Sequence, residues 1–189
     1  MPILDHFGLL APYYDRIFKP KNKDDWQTLL QLPSEGALLD LGGGTGRVSQ
    51  HLCDQVLKSV LVDPSADMLS QASKKVCLDR ARAAAESLPF HDDAFEHIIM
   101  VDALHHVENQ SQTLMEMWRV LKPGGRILIE EPDIRQFSIK LLALAEKLLL
   151  MRSHFLSPEE IMVAYVGLRS RVTIVTSGVN AYIVVEKIG

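Results

Sequence analysis

The stretch Leu38-Leu-Asp-Leu-Gly-Gly-Gly-Thr-Gly-Arg47 decides the fold. An apolar run that reads as a strand passes directly into Gly42, Gly43, Gly44 and Gly46, and helical spacing follows. Glycines at the carboxyl end of a strand let backbone approach a ligand closely, and a helix N-terminus beyond them offers unpaired N–H groups and the positive end of a dipole. The stretch therefore predicts a strand, turn and helix unit that receives an anionic group. A glycine cluster also occurs as a plain tight turn, so the flanking sequence carries the decision.

Outward from this point, short β-branched runs alternate with longer helical segments. Strands are expected at residues 37–41, 59–62, 82–84, 96–101 and 126–130, with helices at 47–57, 65–75 and 111–121. Helices of that length carry crossovers between parallel strands, so the class is α/β with a doubly wound sheet. Lys122-Pro-Gly-Gly125 reads as punctuation that ends a helix before the fifth strand. After a helix expected at 158–165, runs at 171–176 and 181–187 flank Ser177-Gly-Val-Asn180 and predict an antiparallel hairpin. The expected fold is a largely parallel seven-stranded sheet ending in that hairpin. It forms one domain over residues 1–189, with an N-terminal cover at 1–30 and a helical insertion at 132–156.

Composition sets the outer limits. A chain of 189 residues, 47% hydrophobic and 23% charged, suits one globular domain with its own core. Cys53 and Cys77 have no partners at zinc-ligand spacing, and reduced thiols are expected. A net charge of −4 and a pI near 6.0 supply no basic footprint for nucleic acid. The segment MPILDHFGLLAPYYDR lacks the basic start and apolar run of a secretory signal. The most apolar stretch, 139–151, contains Lys140, Glu146 and Lys147 and falls short of the roughly 20 residues that span a bilayer. A cytoplasmic protein without a membrane span, monomeric or homodimeric, is expected.

Gly42, Gly44 and Gly46 fit GxGxG, whereas the dinucleotide fingerprint needs a glycine where Arg47 stands. A nicotinamide cofactor is thus second choice to a ligand with one small anionic end. Asp63 closes Val60-Leu-Val-Asp-Pro64, about 20 residues beyond the glycines, where a carboxylate accepts from both ribose hydroxyls. The alternative for Asp63 is a helix-start signal. Met68, one turn on, suits either an adenine face or the core.

Taken together, LLDLGGGTGR, LVDPSADML, Ala85-Glu-Ser-Leu-Pro-Phe90, Ala103-Leu-His-His-Val107 and Trp118-Arg-Val-Leu-Lys-Pro-Gly-Gly125 resemble the class I S-adenosylmethionine-dependent methyltransferases. The resemblance is to the small-molecule group related to the quinone-biosynthesis C-methyltransferases. It implies S-adenosylmethionine as cofactor, S-adenosylhomocysteine as product, and in-line methyl transfer to a small-molecule acceptor. It puts Gly42, Gly43 and Gly44 against the methionine portion, Asp63 at the ribose and Met68 beside adenine, with Asp40 and Val101 also in contact with the cofactor. Where the family often has an acidic residue for the exocyclic amine, this chain has Ala84, which leaves the backbone of Ala85 or the side chain of Glu86. Tyr14, in the Tyr-Tyr-Asp segment, resembles a cofactor lid.

Methyl transfer depends on in-line positioning and excluded water, and a base is needed only where the acceptor loses a proton. Of the histidines weighed, His6, His105, His106 and His154, the first candidate is His105, which follows strand four at the crevice end of the sheet. His106 is expected to point elsewhere. Asp102, Glu130, Glu131 and Asp133 raise the question of a divalent ion, and no metal is assigned. The leucine-rich segment 137–155 reads as an apolar wall over the acceptor or as a dimer face. Two other classes stay open: a binding protein that keeps the nucleoside pocket without turnover, and an NAD-dependent oxidoreductase.

Overall fold

A computed structural model describes residues 11–17, 23–148 and 153–189. His6 and parts of the expected cover and insertion lie outside them. The strands are β1 (Ser34–Leu41), β2 (Val56–Asp63), β3 (Asp79–Arg82), β4 (Phe95–Val101), β5 (Leu121–Pro132), β6 (Ser170–Ser177) and β7 (Asn180–Lys187). They form one seven-stranded sheet in the order β3-β2-β1-β4-β5-β7-β6. β1 to β5 pair in parallel, and β7 runs antiparallel to both β5 and β6. Strand order reverses between β1 and β4, which opens a crevice at their carboxyl ends.

The central strands read as unbroken apolar runs because both of their faces are covered. On one face Leu39, Ile98, Met100, Ile127 and Ile129 pack against Leu114, Met117 and Val120 of α4 (Gln110–Val120). On the other, Leu38, Ile99 and Leu128 meet Trp26 and Leu30 of α2 (Lys23–Leu30). The remaining helices are the single turn α1 (Tyr14–Ile17), α3 (Ala66–Ala72), α5 (Phe137–Leu148) and α6 (Pro158–Val163). Caps fix where they begin. The Ser65 hydroxyl accepts from Met68 N at the start of α3, and the Asn109 side chain accepts from Gln112 N at the start of α4. In the hairpin, Ser177 pairs with Asn180 and leaves Gly178-Val179 as a two-residue turn, with φ +60° at the glycine.

Three sequence expectations are corrected. The helix expected at 47–57 is a series of turns and two 3-10 pieces, Ser49–His51 and Cys53–Gln55. Its N–H groups reach back three residues, from His51 to Val48, Leu52 to Ser49 and Gln55 to Leu52, while Ser49 N is drawn to the Asp40 carboxylate. The segment is taken up by turn bonding before β2 begins at Val56. The third strand lies at Asp79–Arg82, set by its register with Val60–Asp63, and not at 82–84. Finally, Cys53 and Cys77 are not free thiols: they form a disulfide that ties the segment after the glycine turn to the loop after α3. Disulfides persist chiefly in oxidising surroundings, so the two thiols would stay reduced only where the compartment is reducing.

No helix among the described residues is long and apolar enough to cross a membrane. A recess of about 390 Å³ bounded by residues 33–35 and 54–57 sits at the amino ends of β1 and β2. That is the end remote from the glycine turn, and doubly wound sheets bind ligands at the opposite one.

Candidate cofactor and acceptor site

The glycine turn is built from both strands beneath it. Gly42 N and Gly43 N donate to Val62 O at 2.8 and 3.3 Å, which folds the chain across the end of β2. Gly42, Gly44 and Gly46 have φ of +69°, +57° and +73°, a region L side chains rarely occupy. Gly44 N then donates to Asp63 Oδ2 at 2.9 Å, and Ser65 N donates to Asp63 Oδ1 at 2.8 Å. Asp63 is therefore fixed against the turn. The cap of α3 is Ser65, so Asp63 is not the residue that starts this helix.

Gly42, Gly43, Gly44, Asp63 and Met68 come together here. A Cβ placed on Gly44 would stand 3.7 Å from Met68 Sδ and 3.9 Å from Asp63 Oδ2. The missing side chain leaves a cradle walled by a thioether and a carboxylate. That donor set fits an adenosyl sulfonium, with a hydroxyl acceptor on one side and an apolar face on the other.

Asp40 supports the turn from below. It is 1% exposed, and a Cβ on Gly43 would come within 2.6 Å of its carboxylate. Burial pushes its pKa up to about 6, against the hydrogen bond it accepts from Ser49 N. Val101 is buried at the end of β4, paired with Glu130. Ala85 is buried in the loop after β3. The Glu86 carboxylate accepts from Glu108 N and Asn109 N at 2.9 and 3.1 Å, so it is turned to the start of α4. Of the two groups expected at adenine, this leaves the Ala85 backbone.

The N-terminal segment lies on the turn. Thr45 Oγ1 donates to Asp15, Lys75 Nζ donates to Asp15 Oδ2 at 2.9 Å and to Thr45 O at 2.7 Å, and Arg47 donates to the Tyr14 phenol. Burial raises the Tyr14 pKa, which the Arg47 guanidinium opposes. Arg47, 8% exposed, also pairs with Asp102 Oδ2 at 2.7 Å. Sequence reading had Arg47 only as a departure from the dinucleotide pattern. Its partner stands 55 positions on, where no spacing rule connects them.

Beside the cofactor crevice, the ends of β4 and β5 hold His105. Its Nδ1 bonds the Glu131 carboxylate, whose other oxygen accepts from Ala103 N at 3.0 Å and Leu104 N at 2.7 Å. A carboxylate only accepts, so the proton sits on Nδ1 and a neutral ring keeps its basic lone pair on Nε2. Phe155 stacks on His105 with ring centroids 4.3 Å apart and planes 14° apart. Against expectation, His106 does not point elsewhere: its ring is 4.0 Å from that of His105, and its Nδ1 meets Ser153 Oγ at 3.2 Å. Burial, with His105 alongside, lowers the His106 pKa to about 3 and keeps it neutral. His154 N donates to His105 O at 2.8 Å, and Gln110 Nε2 reaches His154 O. Residues 153–155 are thereby pinned across the site.

The acidic residues at the end of β5 and just beyond it diverge. Glu130 accepts from Trp26 Nε1 and Asn180 Nδ2, Glu131 serves His105, and Asp133 is gripped by Arg135. Sequence reading missed the role of Glu131, although its place at a strand end beside a histidine-bearing loop was the available signal.

With this geometry in view, comparison with known proteins is direct. The methyltransferase domain family matches residues 39–129, which runs from β1 to β5. The ubiquinone/menaquinone biosynthesis C-methyltransferase UbiE of Geotalea daltonii is 32% identical over 152 residues, covering 71% of this chain and 65% of that protein. UbiE of Pectobacterium atrosepticum is 37% identical over 114 residues, 53% of this chain and 45% of that protein. The chain thus spans about half to two thirds of the length of these relatives. In fold, a Haloferax volcanii chain solved in complex with the Trm112 methyltransferase activator superposes with a TM-score of 0.82 at 16% identity, covering 99% of this chain and 100% of that one. The chain is thus similar in sequence to a methyltransferase domain and to the UbiE C-methyltransferases, and it shares its sheet with solved structures of that fold.

Proposed function

We propose that this chain transfers the methyl group of S-adenosylmethionine to a small-molecule acceptor held beside the ends of β4 and β5. The observation that carries the reading is the joining of Gly44, Asp63 and Met68 around one cradle. Asp63, braced by two backbone N–H groups, faces the ribose; Met68 flanks adenine; Gly42 to Gly44 admit the methionine portion; Ala85 meets the adenine edge. When bound, the cofactor supplies an electrophilic methyl group on a sulfonium.

The chain's own residues then position and shield. Phe155, pinned with residues 153–155 over His105, keeps water from the acceptor side, and desolvation with orientation lowers the barrier to in-line transfer. His105, oriented by Glu131, takes a proton at Nε2 from an acceptor that must lose one. Tyr14 closes the cofactor side through Arg47.

The net charge of −4 supports a small molecule over nucleic acid. Because the relatives are named for quinone biosynthesis, reduced menadione is the first acceptor to try. The test is titration with S-adenosylhomocysteine followed by methyl transfer from labelled S-adenosylmethionine. Binding with transfer supports the reading. Tight binding without transfer to any acceptor would favour a binding protein.

A further inference from the structure

We propose that the Cys53–Cys77 disulfide is a redox modification site that sets the affinity of the cofactor cradle: the oxidised chain binds the adenosyl ligand tightly, and a dithiol reductant lowers that affinity by opening the bond. The proposal rests on the cofactor reading above and adds a control to that same site. Both walls of the cradle lead into the bond. Cys53 lies on the segment that continues the glycine turn, and Cys77 lies in the loop that follows α3, the helix carrying Met68.

The loop at 73–78 is where these two walls meet. A Cβ on Gly46 would stand 2.6 Å from Leu78 Cδ1 and 3.4 Å from Lys75 Cδ, so the turn rests directly on the loop. Lys75 Nζ reaches Thr45 O in the turn and Asp15 beside Tyr14, which joins the same loop to the N-terminal cover. The loop has little of its own to hold it there. After α3 ends at Ala72, the N–H groups of Lys74 and Lys75 reach back only three residues. Ser73, Lys74, Val76 and Cys77 are exposed, and Leu78 supplies the buried anchor. Across the bond, residues 49–55 are held by three-residue turn bonds and not by a helical ladder. Segments with few buried contacts open easily. A covalent tie between two of them removes disorder that ligand binding would otherwise have to remove, and a preorganised site binds more tightly for that reason.

The bond is also open to exchange. Cys77 is exposed, while Cys53 is half-buried against the cluster of Leu61, Ala72 and Leu78. A dithiol in its thiolate form attacks the Cys77 sulfur, forms a mixed disulfide with it and expels Cys53 as a thiolate, which takes up a proton. The second thiol of the reductant then displaces Cys77, which is protonated in turn. Two electrons and two protons pass to the protein, which ends with two thiols, and the reductant ends as a cyclic disulfide. Loop 73–78 is then free to leave Gly46 and Thr45, and the ligand must reorder it on binding.

The test titrates the full wild-type chain with S-adenosylhomocysteine in two states, oxidised by glutathione disulfide and reduced by dithiothreitol, with a thiol count and circular dichroism on each. The oxidised chain should bind about tenfold more tightly, and removal of dithiothreitol followed by reoxidation should restore the affinity. Cys53→Ser/Cys77→Ser should bind like the reduced wild type and ignore dithiothreitol. Equal affinity in the two states, tighter binding when reduced, or a response to dithiothreitol that persists in the double variant overturns the proposal. So does a chain that keeps both thiols free under glutathione disulfide, or one whose reduced form unfolds, since the bond would then be a plain staple. Should the double variant not fold, the comparison of the two wild-type states decides alone. Binding in neither state overturns the cofactor reading itself, a result distinct from these.

Discussion

Gly44 N donates to Asp63 Oδ2 at 2.9 Å, which fastens the turn after β1 to the last residue of β2. One bond thus sets both the backbone opening and the carboxylate that the cofactor reading requires. Asp63→Ala should remove a ribose acceptor and leave a buried N–H unpaired, weakening S-adenosylhomocysteine by about 10- to 100-fold and costing about 1–3 kcal/mol of stability. Calorimetric titration and urea unfolding measure the two effects. Unchanged affinity would leave Asp63 a brace for the turn alone.

Gly44 and Gly124 separate strain from occlusion. Both have positive φ, +57° and +82°, but a Cβ on Gly124 meets nothing within 4 Å, whereas one on Gly44 points into the cradle. Alanine at either position should cost about 1–2 kcal/mol of stability. Only Gly44→Val should abolish binding, which parallel titrations of the purified variants would show.

The buried Asp40 gives a pH signature. Its folded pKa is pushed up to about 6 by burial, above the ordinary 3.8 of the unfolded chain. The native state therefore binds more protons between these values, and the stability this contributes is full below about 3.8 and lost as pH rises through about 6. Asp40→Asn cannot ionise. Its stability relative to wild type should rise by up to about 2–3 kcal/mol between pH 4 and pH 7.5, followed by denaturant unfolding at each pH.

The Cys53–Cys77 bond closes a loop with a sequence separation of 24. Cys53→Ser/Cys77→Ser should lose about 3 kcal/mol on the chain-entropy account. A thiol count on protein isolated under alkylation tests whether the bond exists where the protein works. Two free thiols there would agree with the cytoplasmic expectation and confine the bond to oxidising conditions.

Glu131 holds more than His105. His105→Ala removes one contact, whereas Glu131→Ala also strands Ala103 N and Leu104 N. Glu131→Ala should therefore destabilise by about 1–3 kcal/mol more, with both variants binding S-adenosylhomocysteine within about twofold of wild type. His105→Ala should lower turnover on an acceptor that must lose a proton.

Much of this was legible in the sequence because it was local. The runs that became β1, β2, β4 and β5 are apolar on both faces, and the glycines announce the turn with its positive φ. Asp63 was legible from its distance beyond them. What escaped was settled by partners far along the chain. Residues 47–57 have helical spacing, but the pull of Asp40 on Ser49 N and the bond from Cys53 to Cys77 hold them in turns. The links from Arg47 to Asp102 and from His105 to Glu131 join neighbouring strand ends, a proximity only the sheet order creates. The turn of Glu86 toward α4 likewise depends on where α4 begins.

The most direct test of the central claim is thermal unfolding of the wild-type chain with S-adenosylhomocysteine, with NADH and with buffer alone. A ligand that binds only the native state at about 100 times its Kd adds about 2.7 kcal/mol, which for a domain of this size raises the midpoint by about 5–10 °C. The account predicts that rise with S-adenosylhomocysteine and none with NADH. A rise with NADH alone, or with neither compound, would contradict it.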